Sequence, residues 1–196
     1  MKNFLLLLFL VSTNATLNSC IDSKTKKAGT IPKVEDFNMV NVKNEFQILI
    51  PKDLGKTTGL NADASLQYQN IYQEAYIIVI DEQIGAYIDT FKELDLYNSD
   101  KSFIENYRET QLQLLAERIR ILKQTEATFT TINNLEASQL SIDAKVDGIE
   151  ETLSYFLTFV EGKQKVYLVM CWTTSSKKEE HRATFETISN SFKLLE

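Results

Sequence analysis

The chain has 196 residues, 43% of them hydrophobic and 10% aromatic, and a formal net charge of −6. This length and apolar content suit one domain with its own core and exclude global disorder. The acidic balance excludes nucleic acid as a partner and electrostatic docking on anionic headgroups, because both need basic patches.

The first twenty residues read MKNFLLLLFLVSTNATLNSC: one basic residue (Lys2), an apolar run from Phe4 to Val11, then a more polar stretch. That order is a secretory signal peptide over residues 1–19. The apolar run rises only about 12 Å as a helix, far short of a ~30 Å hydrocarbon core, so it does not anchor the chain by spanning. Leu17-Asn18-Ser19-Cys20 resembles the lipobox of bacterial, Bacteroidetes-type lipoproteins, although Asn18 departs from the usual small or apolar residue. The resemblance implies a diacylglycerol on the Cys20 thiol, cleavage before it and acylation of the new amine. Several acyl chains hold a protein stably at a membrane. The alternative is an ordinary cleavable signal followed by an incidental cysteine. Residues 20–36 read as the lipidated cysteine and a flexible tether: polar, with Lys24, Lys26, Lys27 and Lys33, Gly29 and Pro32. Exterior-facing lipoproteins of that type carry an acidic run after the cysteine. Here only Asp22 stands there, which implies the periplasmic face of the outer membrane. With Cys20 lipidated, Cys171 has no disulfide partner and stability must come from packing.

Residues 37–196 read as one globular domain in which strand patterns dominate. Asn44 to Ile50 alternates and stops at Pro51, with Phe46, Ile48 and Ile50 on one face. Leu66–Tyr72 and Glu74–Asp81 follow as two strands, the second apolar on both faces and so expected in the middle of a covered sheet. Thr125–Thr131 and Leu135–Val146 flank Asn133-Asn134, a turn dipeptide, and Glu151–Val160 and Lys165–Thr173 flank Glu161-Gly162-Lys163. A helix is predicted over Ser102–Lys123, with a shorter helical stretch over Ile84–Leu94. A last helix opens on the capping-box pattern Ser176-Lys177-Lys178-Glu179 and carries His181, Phe185, Ile188 and Phe192 as one buried stripe. The fold class is α+β: an α/β/α sandwich with a mostly antiparallel sheet of about six or seven strands, covered by the central and C-terminal helices.

Phe46-Gln47-Ile48-Leu49-Ile50-Pro51 resembles the first strand of PsbP, Mog1 and DcrB-like proteins. Val166 to Trp172, a short polar stretch and then Phe185-Glu186-Thr187-Ile188-Ser189-Asn190-Ser191-Phe192 are similar to the end of that family. These are packing signatures, so the resemblance implies the fold and a class of accessory, assembly or binding proteins, and it transfers no functional residue.

The search for chemistry yields no catalytic constellation, no metal-ligand set and no cofactor motif. The single histidine, His181, reads as a partly exposed helix residue and Cys171 as a small buried hydrophobe. The acidic pairs Asp81-Glu82, Glu150-Glu151 and Glu179-Glu180 are adjacent, and adjacent strand residues diverge to opposite faces. Gly55-Lys56-Thr57-Thr58-Gly59 lacks the upstream glycine of a phosphate loop and reads as a loop. What remains is aromatic: Tyr68, Tyr72, Tyr155 and Trp172 as a possible binding surface, with Tyr76, Phe159 and Tyr167 nearby in the strand pattern. The leading reading is a non-catalytic, lipid-anchored envelope protein that binds or helps assemble an envelope protein partner. A small-molecule or lipid-binding module with a pocket between sheet and helix is the alternative, and a carboxylate-dependent hydrolase is third.

Overall fold

The computed structural model describes residues 32–195. In chain order they form β1 (Phe37–Val42), β2 (Phe46–Pro51), β3 (Gly55–Lys56), β4 (Ala64–Asn70), β5 (Ala75–Gln83), α1 (Ile84–Glu93) and α2 (Phe103–Ala116). There follow β6 (Arg120–Gln124), β7 (Thr128–Ile132), β8 (Leu135–Lys145), β9 (Leu153–Glu161), β10 (Lys165–Thr174), α3 (Lys178–Asn190) and β11 (Lys193–Leu194).

Eight strands make one antiparallel sheet in the order β3-β4-β5-β10-β9-β8-β6, with β7 also on β8; β1, β2 and β11 make a second, three-stranded sheet. The central strands β5, β9 and β10 are the near-continuous apolar runs, as burial on both faces requires. One face carries Ile77, Val79, Phe156, Val160, Val169 and Cys171 and packs under α3 (Phe185, Ile188) and the small sheet (Phe46, Ile48, Ile50). The other carries Ile142, Leu157, Phe159, Val166 and Leu168 and packs under Tyr87 of α1 and Ile104 and Tyr107 of α2. This is the expected α+β sandwich, with one more strand in the main sheet than the upper expectation.

The differences have local causes. The helix expected over 102–123 ends at Ala116, and residues 120–124 pair with β8 as β6. Ile119 and Ile121 are β-branched and two apart, a pattern that suits a strand, and both pack on the second core. The N-terminus of α2 is secured by a true capping box: Glu105 N–H donates to Ser102 Oγ (3.4 Å) and Ser102 N–H donates to Glu105 Oε2 (3.0 Å). The capping box expected at Ser176 is absent. Residues 175–177 are a 3₁₀ turn, the Ser176 hydroxyl lies 3.3 Å from Glu151 Oε2, and Glu179 pairs with Arg182 instead. Gly55-Lys56, expected in a loop, forms the short edge strand β3 on β4. Phe192 is fully buried beyond the end of α3, with ring centroids 5.0 Å from Phe46 and 4.9 Å from Tyr167. Asn133 and Asn134, both at positive φ (48° and 67°), form the two-residue turn between β7 and β8.

Candidate functional site

Covering the second face with helices leaves one part of it open. The first turns of α2 bury Ile104 and Tyr107, whereas in its last turns Leu112 and Leu115 pack only partly buried on this core and Leu114 is 40% exposed. Between them and the strands lies a groove of about 610 Å³. Its floor is built from the same-face residues Ile78 and Ile80 of β5, Met170 and Leu168 of β10, and Tyr155 and Leu157 of β9. Leu114, Leu115 and Arg118 line it from α2 and the turn that follows, and Ile149 lines it from the β8–β9 connection.

Trp172 and Tyr155 line one end of the groove and belong to an aromatic ladder that Tyr76 extends beside it. Trp172 is in direct register with Tyr76 on β5 and with Tyr155 on β9. The rings stack across the three strands, with centroids 5.2 Å apart for Tyr76–Trp172 and 6.1 Å for Tyr155–Trp172. Cross-strand aromatic pairs of this kind stabilise a sheet by about 0.2–1 kcal/mol each. Tyr155 is 8% exposed, and burial pushes its phenol above the usual tyrosine range. Neither its hydroxyl nor the Trp172 indole N–H has a hydrogen-bond partner among the described residues.

The other end is polar. Tyr107, wholly buried, donates its hydroxyl to Glu82 Oε1 at 2.6 Å, and Gln111 Nε2 donates to the same oxygen at 2.9 Å. Burial first, and the adjacent Glu82 carboxylate second, push the Tyr107 phenol far above its ordinary value. Glu82 Oε2 has no partner, and Glu82 has no ion pair among the described residues. Asp81 points to the opposite face, where Lys165 Nζ lies 2.9 Å from it and 2.6 Å from Glu45. Burial works to raise the Asp81 carboxyl, but the hydrogen bonds from Lys165 and Ser65 hold it below the usual range. The two neighbouring carboxylates therefore diverge and form no acid/base pair.

Of the aromatic residues singled out in the sequence, Tyr155 and Trp172 come together in this groove. Tyr68 does not join them: it pairs with Ile77 and packs partly buried against the first core, on the opposite face. Tyr72 lies in the turn after β4 at 90% exposure, outside any strand. Tyr167 is also on the opposite face. Cys20 lies outside the described residues. His181 is buried (7% exposed), as the apolar stripe of the last helix requires and contrary to its separate reading as a partly exposed residue. Its ring stacks on Phe185 with centroids 5.4 Å apart and Nε2 lies 3.0 Å from the Gln73 carbonyl, while burial lowers its pKa. Cys171 is fully buried, and burial raises its thiol well above the ordinary range.

Glu82, Tyr107, Gln111 and Met170 were not read from the sequence as site residues. The signal available was parity: Tyr76, Ile78, Ile80 and Glu82 share a face with each other and, in register, with Trp172, Met170, Leu168 and Val166. Among the described residues no cluster of three His, Cys, Asp or Glu side chains is placed to hold a metal ion, and no helix is long and apolar enough to cross a membrane.

No protein-family model matches the chain, and no curated protein matches it. Solved structures do. The chain is similar to cyanobacterial PsbP (CyanoP) from Synechocystis sp. PCC 6803 at TM-score 0.56 and 12% identity, over 85% of this chain and 96% of that one. It is similar to a mutant form of the protein Mog1 at TM-score 0.51 and 10% identity, over 82% of this chain and 96% of that one. LpqN of Mycobacterium tuberculosis, described as involved in cell envelope biogenesis, superposes at TM-score 0.49 and 10% identity over 77% of this chain and 83% of LpqN, too loosely to carry weight. The chain thus has the fold of PsbP and Mog1.

Proposed function

We propose that the protein is a non-catalytic accessory protein of the cell envelope, held at a membrane through a lipid on Cys20, whose working surface is the groove between the main sheet and α2. One observation carries the binding reading: the stacked rings of Trp172 and Tyr155 line an open cavity of about 610 Å³, with Tyr76 stacked on Trp172 beside it. Well-packed cores leave few voids larger than a water molecule, and small-molecule sites span about 300–1,000 Å³. The cavity has the size and the largely apolar lining of such a site. This favours the sheet–helix pocket over a contact made through an exposed sheet edge. The anchor reading rests on the Leu17–Cys20 pattern alone.

Native mass spectrometry of protein extracted from its own membrane in mild detergent tests both halves. The expected result is a chain beginning at Cys20, with diacylglycerol on its thiol and an acyl chain on its amine, that carries an additional noncovalent mass on the order of a few hundred daltons, as a small ligand would. Loss of membrane association in a Cys20→Ser variant is expected alongside it. A mature chain starting elsewhere overturns the anchor. A second polypeptide in place of a small mass overturns the small-ligand reading in favour of a protein partner.

A further inference from the structure

We propose that the ligand of this groove is an elongated amphiphile with a cationic, hydrogen-bond-donating head, an alkylammonium in its simplest form. Its head lies at Glu82 and its tail runs along the floor toward Trp172. The inference rests on the groove being the binding site and adds to it the chemistry and orientation of the occupant.

The length of the floor comes from the sheet register. Trp172 pairs with Tyr76 and Val166 with Glu82, so the floor runs over six residue-to-residue steps of β5, from the level of Tyr76 to Glu82. At about 3.3 Å per residue this is roughly 20 Å. Between those ends the cavity-lining residues are apolar: Ile78, Ile80, Leu168 and Met170, with Leu157 beside them. An extended dodecyl chain with its head group fits within that length, and burying each methylene contributes about 0.8 kcal/mol. A compact ring system leaves much of the floor uncovered.

The charge comes from Glu82. Both of its hydrogen bonds come from neutral donors, Tyr107 and Gln111, and both go to Oε1. Oε2 is left for an outside donor, and the carboxylate is left without a countercharge among the described residues. Asp63 also lines the cavity and has no ion pair there, whereas Asp81 is neutralised by Lys165. Among the described residues Arg118 is the one basic residue lining the groove, and it is exposed in the turn after α2. An anionic head at the Glu82 end meets repulsion from a carboxylate that no cation neutralises among the described residues. An ammonium there forms a charge-assisted hydrogen bond to Oε2. Tyr155, 8% exposed, lines the same cavity at the other end, where its hydroxyl is open to solvent and is not held by a protein partner among the described residues.

Trp172 is the only tryptophan in the chain, so intrinsic fluorescence reports the tail end of the groove. The test titrates the protein with dodecylammonium and, separately, dodecanoate, both below their micelle concentrations, with far-UV circular dichroism confirming that the fold persists. Saturable binding of dodecylammonium at least tenfold tighter than dodecanoate, with Glu82→Gln bringing the two within threefold, is the expected result. The wild-type comparison stands even where that variant folds poorly. Equal binding of the two probes, or tighter binding of dodecanoate, overturns the cationic assignment and leaves the groove as an apolar site. No change in Trp172 emission with either probe overturns the groove reading and this inference with it.

Discussion

Replacing Tyr107 by Phe isolates the hydrogen bond that holds Glu82 in place. Phe retains the ring and its edge-on contacts with Tyr87 and Phe159, whose centroids lie 5.3 and 6.0 Å away. What is lost is one hydroxyl donating to a charged oxygen at 2.6 Å. A hydrogen bond to a charged group contributes about 1.5–3 kcal/mol. Here Gln111 still donates to the same oxygen and water reaches Glu82 from the groove, so the cost falls at the lower end, about 1.5–2 kcal/mol. With a urea slope of about 1–3 kcal/mol per molar, the unfolding midpoint falls by roughly 0.5–2 M at unchanged slope. Equilibrium urea unfolding followed by far-UV circular dichroism measures it, and a double-mutant cycle with Glu82→Gln isolates the pair. A loss below about 0.5 kcal/mol, or no coupling in the cycle, refutes the claim that the Tyr107 hydroxyl restrains Glu82.

Tyr107, Tyr87, Tyr155 and Tyr167 all have raised phenol pKa values, with burial as the first cause. The folded state therefore holds these protons while the unfolded chain releases them near pH 10, so stability should decline above about pH 10, and Tyr107→Phe should flatten that decline in thermal melts. Lys178→Met strands Asp143, to which Lys178 Nζ donates at 2.6 Å with both side chains at or below 20% exposure. A loss of about 2 kcal/mol is expected at pH 7, less than for a fully buried pair because Ser154 still donates to the carboxylate. Burial works to raise the Asp143 carboxyl, but the bonds from Lys178 and Ser154 hold it lower. The loss should therefore shrink as pH falls below about 4 and the carboxylate takes up a proton; a constant difference down to pH 2 would contradict the pairing. A Cβ on Gly162 would sit 2.7 Å from the Lys165 carbonyl oxygen in the β9–β10 hairpin, so Gly162→Ala should cost about 1–3 kcal/mol in denaturant titration. Phe192→Ala removes a ring packed between Phe46 and Tyr167 and should cost about 3–5 kcal/mol, dissociating β11 from β2 as read by faster amide exchange at Lys193 and Leu194.

The central strands were legible because their signal is local. Ala75 to Ile80 is apolar at every position, and only a strand covered on both faces accommodates that run. The two-residue turn at Asn133-Asn134 was legible for the same reason, since positive φ at both central residues selects asparagine. The short pairings were not. β3 and β11 are two residues each, and their existence depends on a neighbour's free edge more than on their own composition. At the C-terminal end of α2, a run of residues that suits both a helix and a strand became a strand because β8 offered an edge to pair with.

From its residues alone this chain determines the class of its fold, the absence of a repeated histidine or cysteine set, and the aromatic side chains from which a surface can be built. Those follow from periodicity and composition, which every residue carries with it. Only the tertiary structure decided that Tyr155 and Trp172 meet while Tyr68 faces the other way, since a side chain's face depends on strand register, and register is a property of two strands. It likewise decided that Glu82 stands in a groove with one oxygen held and one free. Tyr107 and Gln111, which hold it, are 25 and 29 residues away along the chain, and only the packing of α2 across the sheet brings them there.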